Sequence, residues 1–259
     1  MLLFAHSDTF SVSLATGLRY NQSRYKRVQE TAVTTAIRAF IFDLDGVITD
    51  TAELHYLSWK RLADEEGLPF TREDNEQLRG VSRRESLNRL LKGHPISEDT
   101  ALEWMTRKNS YYRDYLQRLT PADRLPGVVD FLDQARAAGL LLGLGSASKN
   151  ARDVLAHLEL LELFDAIGDG NSVVNTKPAP DLFIWVAGRL NVSPPQAVVF
   201  EDAEAGIDAA LAGGFWAVGI GTANVGHAHM RVPSLAAASV ETILSHLGTI
   251  ISSIRQGES

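Results

Sequence analysis

Short apolar runs recur along this chain, three of them closing on carboxylates or hydroxyls, and this recurrence constrains the fold more than any other feature. Arg38-Ala39-Phe40-Ile41-Phe42 closes on Asp43-Leu44-Asp45-Gly46, and Leu140-Leu141-Leu142-Gly143-Leu144-Gly145 closes on Ser146-Ala147-Ser148. Ala197-Val198-Val199-Phe200 closes on Glu201-Asp202, and Trp216-Ala217-Val218-Gly219-Ile220 closes on Gly221. Phe164-Asp165-Ala166-Ile167 is a further short candidate. Apolar runs this short, ended by turn residues, read as buried strands. Between them the period changes to that of a helix. Val128, Phe131, Leu132 and Ala135 fall at i, i+3, i+4 and i+7, and Val154, Leu155, Leu158, Leu161 and then Leu182, Val186, Leu190 repeat the stripe. Buried strands alternating with helices predict an α/β fold with a doubly wound parallel sheet. The ligand of such a sheet sits beyond the carboxyl ends of its strands. Asp43, Asp45, Ser146, Glu201 and Asp202 all fall there.

The segment between the first two strands is too long for one crossover. Residues 53–66, 73–79, 83–92 and 98–118 read as helices, with Trp59, Leu62, Leu87, Leu90, Leu91, Trp104 and Tyr111 as candidate core residues. A helical insert over 51–121 is large enough for a small core of its own. The chain enters it at Thr49–Thr51 and leaves at Thr120-Pro121-Ala122-Asp123, and two crossings make a hinge. The core is then 38–50 with 122–250, and 251–259 reads as a tail. Residues 1–37 are rich in Ser, Thr and Arg and carry only two acids, Asp8 and Glu30. They read as a disordered extension, with an organelle transit peptide as the alternative.

Composition removes several classes of function. The net charge is −7, which does not suit a general nucleic-acid binder. The chain has no cysteine, which excludes a disulfide scaffold, a thiol nucleophile and a Cys-based zinc site. No stretch reaches the roughly 18 apolar residues of a membrane-spanning helix, and a cytoplasmic location is expected. An anionic substrate must be gripped by local cations and backbone N–H groups.

The individual positions each admit two readings. Asp43 and Asp45, spaced i, i+2 at a strand end, are either turn aspartates or two carboxylates aimed at one cleft. Four acids at two strand ends, with Glu201 and Asp202, repel one another unless a hard divalent cation joins them, and Mg2+ suits such a set. Ser146-Ala147-Ser148-Lys149-Asn150 opens a helix and is either an ordinary N-cap at Ser148 or an anion site. Lys149 then stands in the first helical turn, against the helix dipole. Lys177, in Lys177-Pro178-Ala179-Pro180, is by itself a solvated loop lysine; the acids around it give it weight. Ser82-Arg83-Arg84-Glu85 has the capping-box form. It sets Arg83 and Arg84 in the first turn, at a cost of about 0.3–1 kcal/mol each. One of them aimed at an anion would explain this. His55 is a solvated helix residue or a polar group by the hinge, and Lys108 by itself reads as a solvated helix-face charge.

Asp43-Leu44-Asp45-Gly46-Val47-Ile48-Thr49-Asp50-Thr51 resembles the first signature of the haloacid dehalogenase superfamily of phosphotransferases. Ser146, Lys177-Pro178 and Glu201-Asp202 match its other signatures in order. A closer resemblance is to the β-phosphoglucomutase subfamily. It rests on Asp50-Thr51-Ala52-Glu53 with His55 and Trp59, on Asn75-Glu76-Gln77-Leu78-Arg79-Gly80-Val81-Ser82-Arg83, on Arg107-Lys108-Asn109, and on Ser146-Ala147-Ser148-Lys149-Asn150. The resemblance implies a Rossmann-like core with an inserted four-helix cap. It implies Asp43 as the nucleophile that becomes an aspartyl-phosphate and Asp45 as the general acid–base. Mg2+ would bind Asp43, the Asp45 backbone carbonyl and Asp202, with Glu201 beside or among the ligands. Ser146, the Ala147 N–H and Lys177 would hold the transferring phosphoryl group. Arg83 with Ser148, Lys149 or Asn150 would hold the distal phosphate and the sugar. Trp59, Gly80, Val81, Ser86 and Lys108 would line the cap side, with Thr51 and His55 at the hinge. The implied reaction interconverts β-glucose 1-phosphate and glucose 6-phosphate through glucose 1,6-bisphosphate, in a monomer. The rival expectations are a sugar-phosphate phosphatase on the same fold and, more remotely, a non-catalytic binding protein. Arg79 stands where a lysine is expected before Gly80. Ala203 stands where a serine is common, which removes a hydrogen bond near the metal.

Overall fold

The computed structural model describes residues 36–78, 80–221 and 225–256. The expectations for 1–35, for Arg79 and for 257–259 lie outside the described residues. Strand β1 (Ala39–Phe42) leads into four helices, α1 (Ala52–Glu65), α2 (Arg72–Glu76), α3 (Arg83–Leu91) and α4 (Glu98–Leu116). The chain continues as α5 (Val128–Ala137), β2 (Leu141–Gly145), α6 (Ala151–His157), β3 (Ala166–Gly168) and α7 (Asp181–Arg189). It ends with β4 (Ala197–Glu201), α8 (Glu204–Ala212), β5 (Trp216–Ile220), β6 (Met230–Val232) and α9 (Val240–Gln256).

Among the described residues six strands form one parallel sheet in the order β3-β2-β1-β4-β5-β6. Ala39 pairs with Leu141 on one side and Ala197 on the other. The order reverses beside β1, so the crevice at the carboxyl ends of β1 and β4 is the switch point where such sheets bind ligands. The strands alternate their side chains between two buried layers, as a period of two requires. Phe40, Phe42, Phe131, Leu142 and Phe200 fill one layer, and Ile41, Phe183, Val186, Val199 and Phe215 the other. Phe200 meets Phe40 and Phe42 at centroid distances of 4.8 and 4.7 Å. Such pairs add about 0.5–1.5 kcal/mol beyond the area they bury. Gly143 lets α7 lie close against the sheet, since a Cβ there would stand 2.6 Å from Val186 Cγ1.

The cap helices carry a separate cluster: Trp59, Leu62, Ala63, Phe70, Leu87, Leu90, Leu91, Ala101 and Trp104. Tyr111 is buried beside it and donates to Glu65 Oε2 (2.6 Å), while its neighbour Tyr112 joins the core cluster of the sheet. At the crossing between the two lobes the chain is tied to itself. Thr49 Oγ1 donates to the Asp123 carbonyl (2.7 Å) and Leu125 N to the Ile48 carbonyl (2.9 Å).

Three elements go beyond the sequence reading. Helix α8 (Glu-Ala-Gly-Ile-Asp-Ala-Ala-Leu-Ala) has small apolar residues on nearly every side, which blurs the 3.6-residue stripe. Strand β6 is three residues long, with Arg231 at its centre, which suits an edge strand. Helix α9 runs to Gln256, so the segment read as a tail from 251 is helical to that point. Phe164 and Asp165 precede β3 instead of opening it; Asp165 Oδ2 accepts a hydrogen bond from Leu142 N (2.8 Å).

Candidate active site

Asp43 is the first residue after β1, and its N–H donates to the Phe200 carbonyl (2.9 Å), which fixes it beside β4. Lys177 Nζ lies 2.5 Å from Asp43 Oδ1 and 2.5 Å from Glu201 Oε1, with its side chain fully buried. Of the two readings of Lys177, this favours the one that sets it among the acids over a solvated loop residue. Burial works against the Lys177 charge, yet Asp43 and Glu201 outweigh it and raise its pKa. Burial pushes the Glu201 carboxyl up, Lys177 draws it back, and Asp43 and Asp202 add to the rise.

Asp43, Glu201 and Asp202 each offer an oxygen, and these atoms lie within 4.8 Å of one another. Gly46, at φ +81°, lets the chain pass this cluster, since a Cβ there would stand 2.0 Å from Asp202 Oδ2. The donor set is all oxygen and anionic, the chemistry that suits Mg2+. The Asp45 carboxylate is not in this cluster. Its Oδ1 accepts a short hydrogen bond from Thr51 Oγ1, which accepts one from Tyr112 Oη (3.1 Å). Burial, then the Asp43 charge, raises the Asp45 pKa to about 7 against the pull of Thr51. Ala203 is the N-cap of α8 with no side-chain cap bond, and its N–H donates to Glu201 Oε2 (2.8 Å).

Ser146 is buried at the end of β2, and its Oγ accepts from Ser148 N (3.1 Å). The N-cap of α6 is Asn150, not Ser148; Ser148 Oγ accepts from Asn150 N (3.2 Å) in the turn before it. Lys149 therefore precedes the helix and opposes no dipole in its first turn, which corrects the sequence reading.

One cavity brings the two lobes together. Asp43, Asp45, Ser146, Ala147, Ser148, Lys149 and Asp202 line it from the core. His55, Trp59, Gly80, Val81, Arg83, Ser86 and Lys108 line it from the cap. Thr51, Lys177, Glu201 and Asn150 stand behind this lining, bonded to Asp45, Asp43, Lys177 and Asn109 respectively. Ala52, Asn75 and Leu78 also line it. All three sit in stretches that carry the subfamily resemblance, Ala52 in Asp50-Thr51-Ala52-Glu53 and Asn75 and Leu78 in the stretch from 75 to 83, and that is the available signal.

Lys108 is 2% exposed, so it is not the solvated helix-face charge it resembles in sequence. Its Nζ lies 2.9 Å from His55 Nδ1 and over the rings of Tyr112 and Trp59, at 4.8 and 5.0 Å. Burial, then Arg83, holds the Lys108 ammonium well below its usual range. Burial, then Lys108 and Arg83, lowers His55 in the same way. The two arginines at the start of α3 part company. Arg84 pairs with Glu98 on the surface, whereas Arg83 Nη2 donates to Asn109 Oδ1 (2.8 Å). Burial lowers the Arg83 pKa. Ser82 caps the helix, its Oγ accepting from Glu85 N (3.2 Å).

Residues 37–214 match the haloacid dehalogenase-like hydrolases. Over 189 residues the chain is 44% identical to β-phosphoglucomutase of Bacillus subtilis (strain 168), which covers 71% of this chain and 84% of that protein. It is 30% identical to a phosphorylated carbohydrates phosphatase of Thermotoga maritima, over 83% of this chain and 100% of the relative. The crystal structure of a β-phosphoglucomutase from Clostridium difficile matches with a TM-score of 0.81 at 40% identity, covering 83% of this chain and 99% of that one. Among the described residues no helix is long and apolar enough to cross a membrane.

Proposed function

The chain belongs to the haloacid dehalogenase-like hydrolase family, and we propose that it interconverts β-D-glucose 1-phosphate and glucose 6-phosphate. The route runs through an aspartyl-phosphate on Asp43 and a glucose 1,6-bisphosphate intermediate. The observation that carries this reading is a second cationic site. Besides Lys177 beside Asp43, the cavity holds Lys149 and an Arg83 with no carboxylate partner among the described residues. A phosphatase needs to grip only the phosphoryl group that leaves; a bisphosphate needs a grip for the other one as well.

The acid cluster fits Mg2+, with Asp43, Asp202 and the Asp45 main-chain carbonyl as its holders and Glu201 beside them. Bound there, the ion neutralises charge on the transferring phosphoryl oxygens. The chain's own groups do the rest. The Asp43 carboxylate attacks phosphorus in line, and the bond from phosphorus to the sugar oxygen breaks. Asp45 gives that oxygen a proton and later removes one from the incoming hydroxyl. Lys177, Ser146 and the Ala147 N–H receive the phosphoryl oxygens. Arg83, with Ser148, Lys149 and Asn150, holds the other phosphate while the sugar lies against Trp59, Gly80, Val81, Ser86 and Lys108. Closure of the cap, with Thr51 and His55 at its hinge, excludes the water that would otherwise hydrolyse the aspartyl-phosphate.

The deciding experiment supplies β-glucose 1-phosphate, Mg2+ and a trace of glucose 1,6-bisphosphate. Glucose 6-phosphate as the main product supports the mutase. Free phosphate and glucose as the main products would make the protein a sugar-phosphate phosphatase.

A further inference from the structure

Asn109 follows Lys108 on α4 and is not among the residues that line the cavity. Its side-chain Oδ1 nevertheless accepts two hydrogen bonds from opposite lobes. Arg83 Nη2, at the start of the cap helix α3, donates at 2.8 Å, and Asn150 Nδ2, at the N-cap of the core helix α6, donates at 2.9 Å. We propose that Asn109 is a positioning residue for the phosphate that is not transferred, its neutral carbonyl holding the cap arginine and the core asparagine side by side. The inference rests on the mutase reading, in which those two residues meet that phosphate.

The chemistry of the holder supports this. A carbonyl oxygen has two lone pairs, so one amide can serve both donors at once. A guanidinium has five N–H donors and Asn109 takes one, which leaves the others for phosphate oxygens; the Asn150 amide likewise keeps a second N–H. Arg83 stands where the helix dipole disfavours a cation, and its neighbour Arg84 has found a carboxylate in Glu98. A carboxylate at position 109 would pair with Arg83 in the same way, in a charge-assisted bond that competes with an incoming phosphate. An amide orients the guanidinium without neutralising it. One turn further along α4, Arg113 Nε lies 3.9 Å from Asp153 Oδ2 on α6. Residues 109 and 113 thus share a helix face that meets the core.

The test compares wild type, Asn109→Ala and Asn109→Asp in three readouts: KM for β-glucose 1-phosphate, kcat, and the rate at which acetyl phosphate phosphorylates the protein. Acetyl phosphate carries no second phosphate. Asn109→Ala leaves both donors to be ordered at binding, so KM is expected to rise about tenfold. Asn109→Asp, which ties up Arg83, is expected to raise it about 100-fold. The acetyl phosphate rate should change far less than KM in both. The inference is overturned if both variants keep KM within about twofold of wild type. It is overturned equally if acetyl phosphate phosphorylation falls as far as sugar-phosphate turnover, which would mark a general structural role. If wild type itself makes free phosphate and no glucose 6-phosphate, the mutase reading falls and this inference falls with it. That result is separate from an unchanged KM in a working mutase.

Discussion

The hydroxyl of Tyr112 lies 3.1 Å from that of Thr51, and Thr51 in turn donates to Asp45. A cap helix thereby reaches the proposed acid–base through one intermediate residue. Tyr112→Phe removes that hydroxyl and keeps the ring, whose centroid lies 4.2 Å from that of His55. Losing a hydrogen bond of about 0.5–1.5 kcal/mol should lower kcat by roughly 2- to 12-fold, with a melting temperature close to wild type. An unchanged kcat would show that Thr51 orients Asp45 without help from the cap.

Lys177 offers a test of the acid cluster. Replacing it with methionine leaves Asp43 and Glu201 buried together without their cation. Breaking a buried ion pair from one side costs about 3–5 kcal/mol, which should lower the melting temperature by roughly 10 °C. Added Mg2+ should restore more stability in Lys177→Met than it adds to wild type, because Asp43 and Glu201 then have no other ion-pair partner among the described residues. Differential scanning fluorimetry with and without MgCl2 measures this, and an identical Mg2+ response in the two proteins would contradict it.

His55 predicts a pH dependence. Burial, then Lys108 and Arg83, holds its imidazole well below the ordinary value. Below about pH 6.5 the unfolded chain takes up a proton at this residue that the folded chain refuses. Stability from this residue is therefore intact at pH 7.5 and lost as the pH falls towards 5.5. His55→Gln should flatten the slope of unfolding free energy against pH in that window. Urea unfolding at both pH values reads the difference, and parallel slopes would mean that the buried ring protonates in the fold.

Strands β1, β2, β4 and β5 are legible because each is a short apolar run closed by a polar or turn residue, with carboxylates directly after β1 and at the end of β4. Residues whose meaning lies in a distant partner were not. Lys177 meets Asp43 across 134 positions and Lys108 meets His55 across 53, so each looks alone like a solvated lysine. Tyr112 carries no motif of its own, and Asn109 enters only as the last residue of Arg107-Lys108-Asn109, with nothing there to show its partners on the other lobe. The helix start at Ala151 is not legible in sequence because Ser148 is an ordinary N-cap residue type, and only the backbone shows the cap falling to Asn150.

Asp43 and Asp45 differ in surroundings, and this separates their expected roles. Asp43 shares the acid cluster with Glu201 and Asp202, whereas the Asp45 carboxylate is turned to Thr51. Asp43→Asn removes the attacking charge, so no phospho-enzyme should form from any donor. Asp45→Asn should leave the nucleophile and the cluster in place and remove proton transfer to the sugar oxygen, a contribution of about 10²–10⁴-fold. A sugar oxygen is a poor leaving group and needs that proton; acetate leaves acetyl phosphate without one. Asp45→Asn should therefore accept phosphate from acetyl phosphate while its mutase turnover collapses. Mass spectrometry of the trapped protein should find the phosphate on the peptide containing Asp43. Phosphate on another residue, or full mutase activity in Asp43→Asn, would rule out this mechanism.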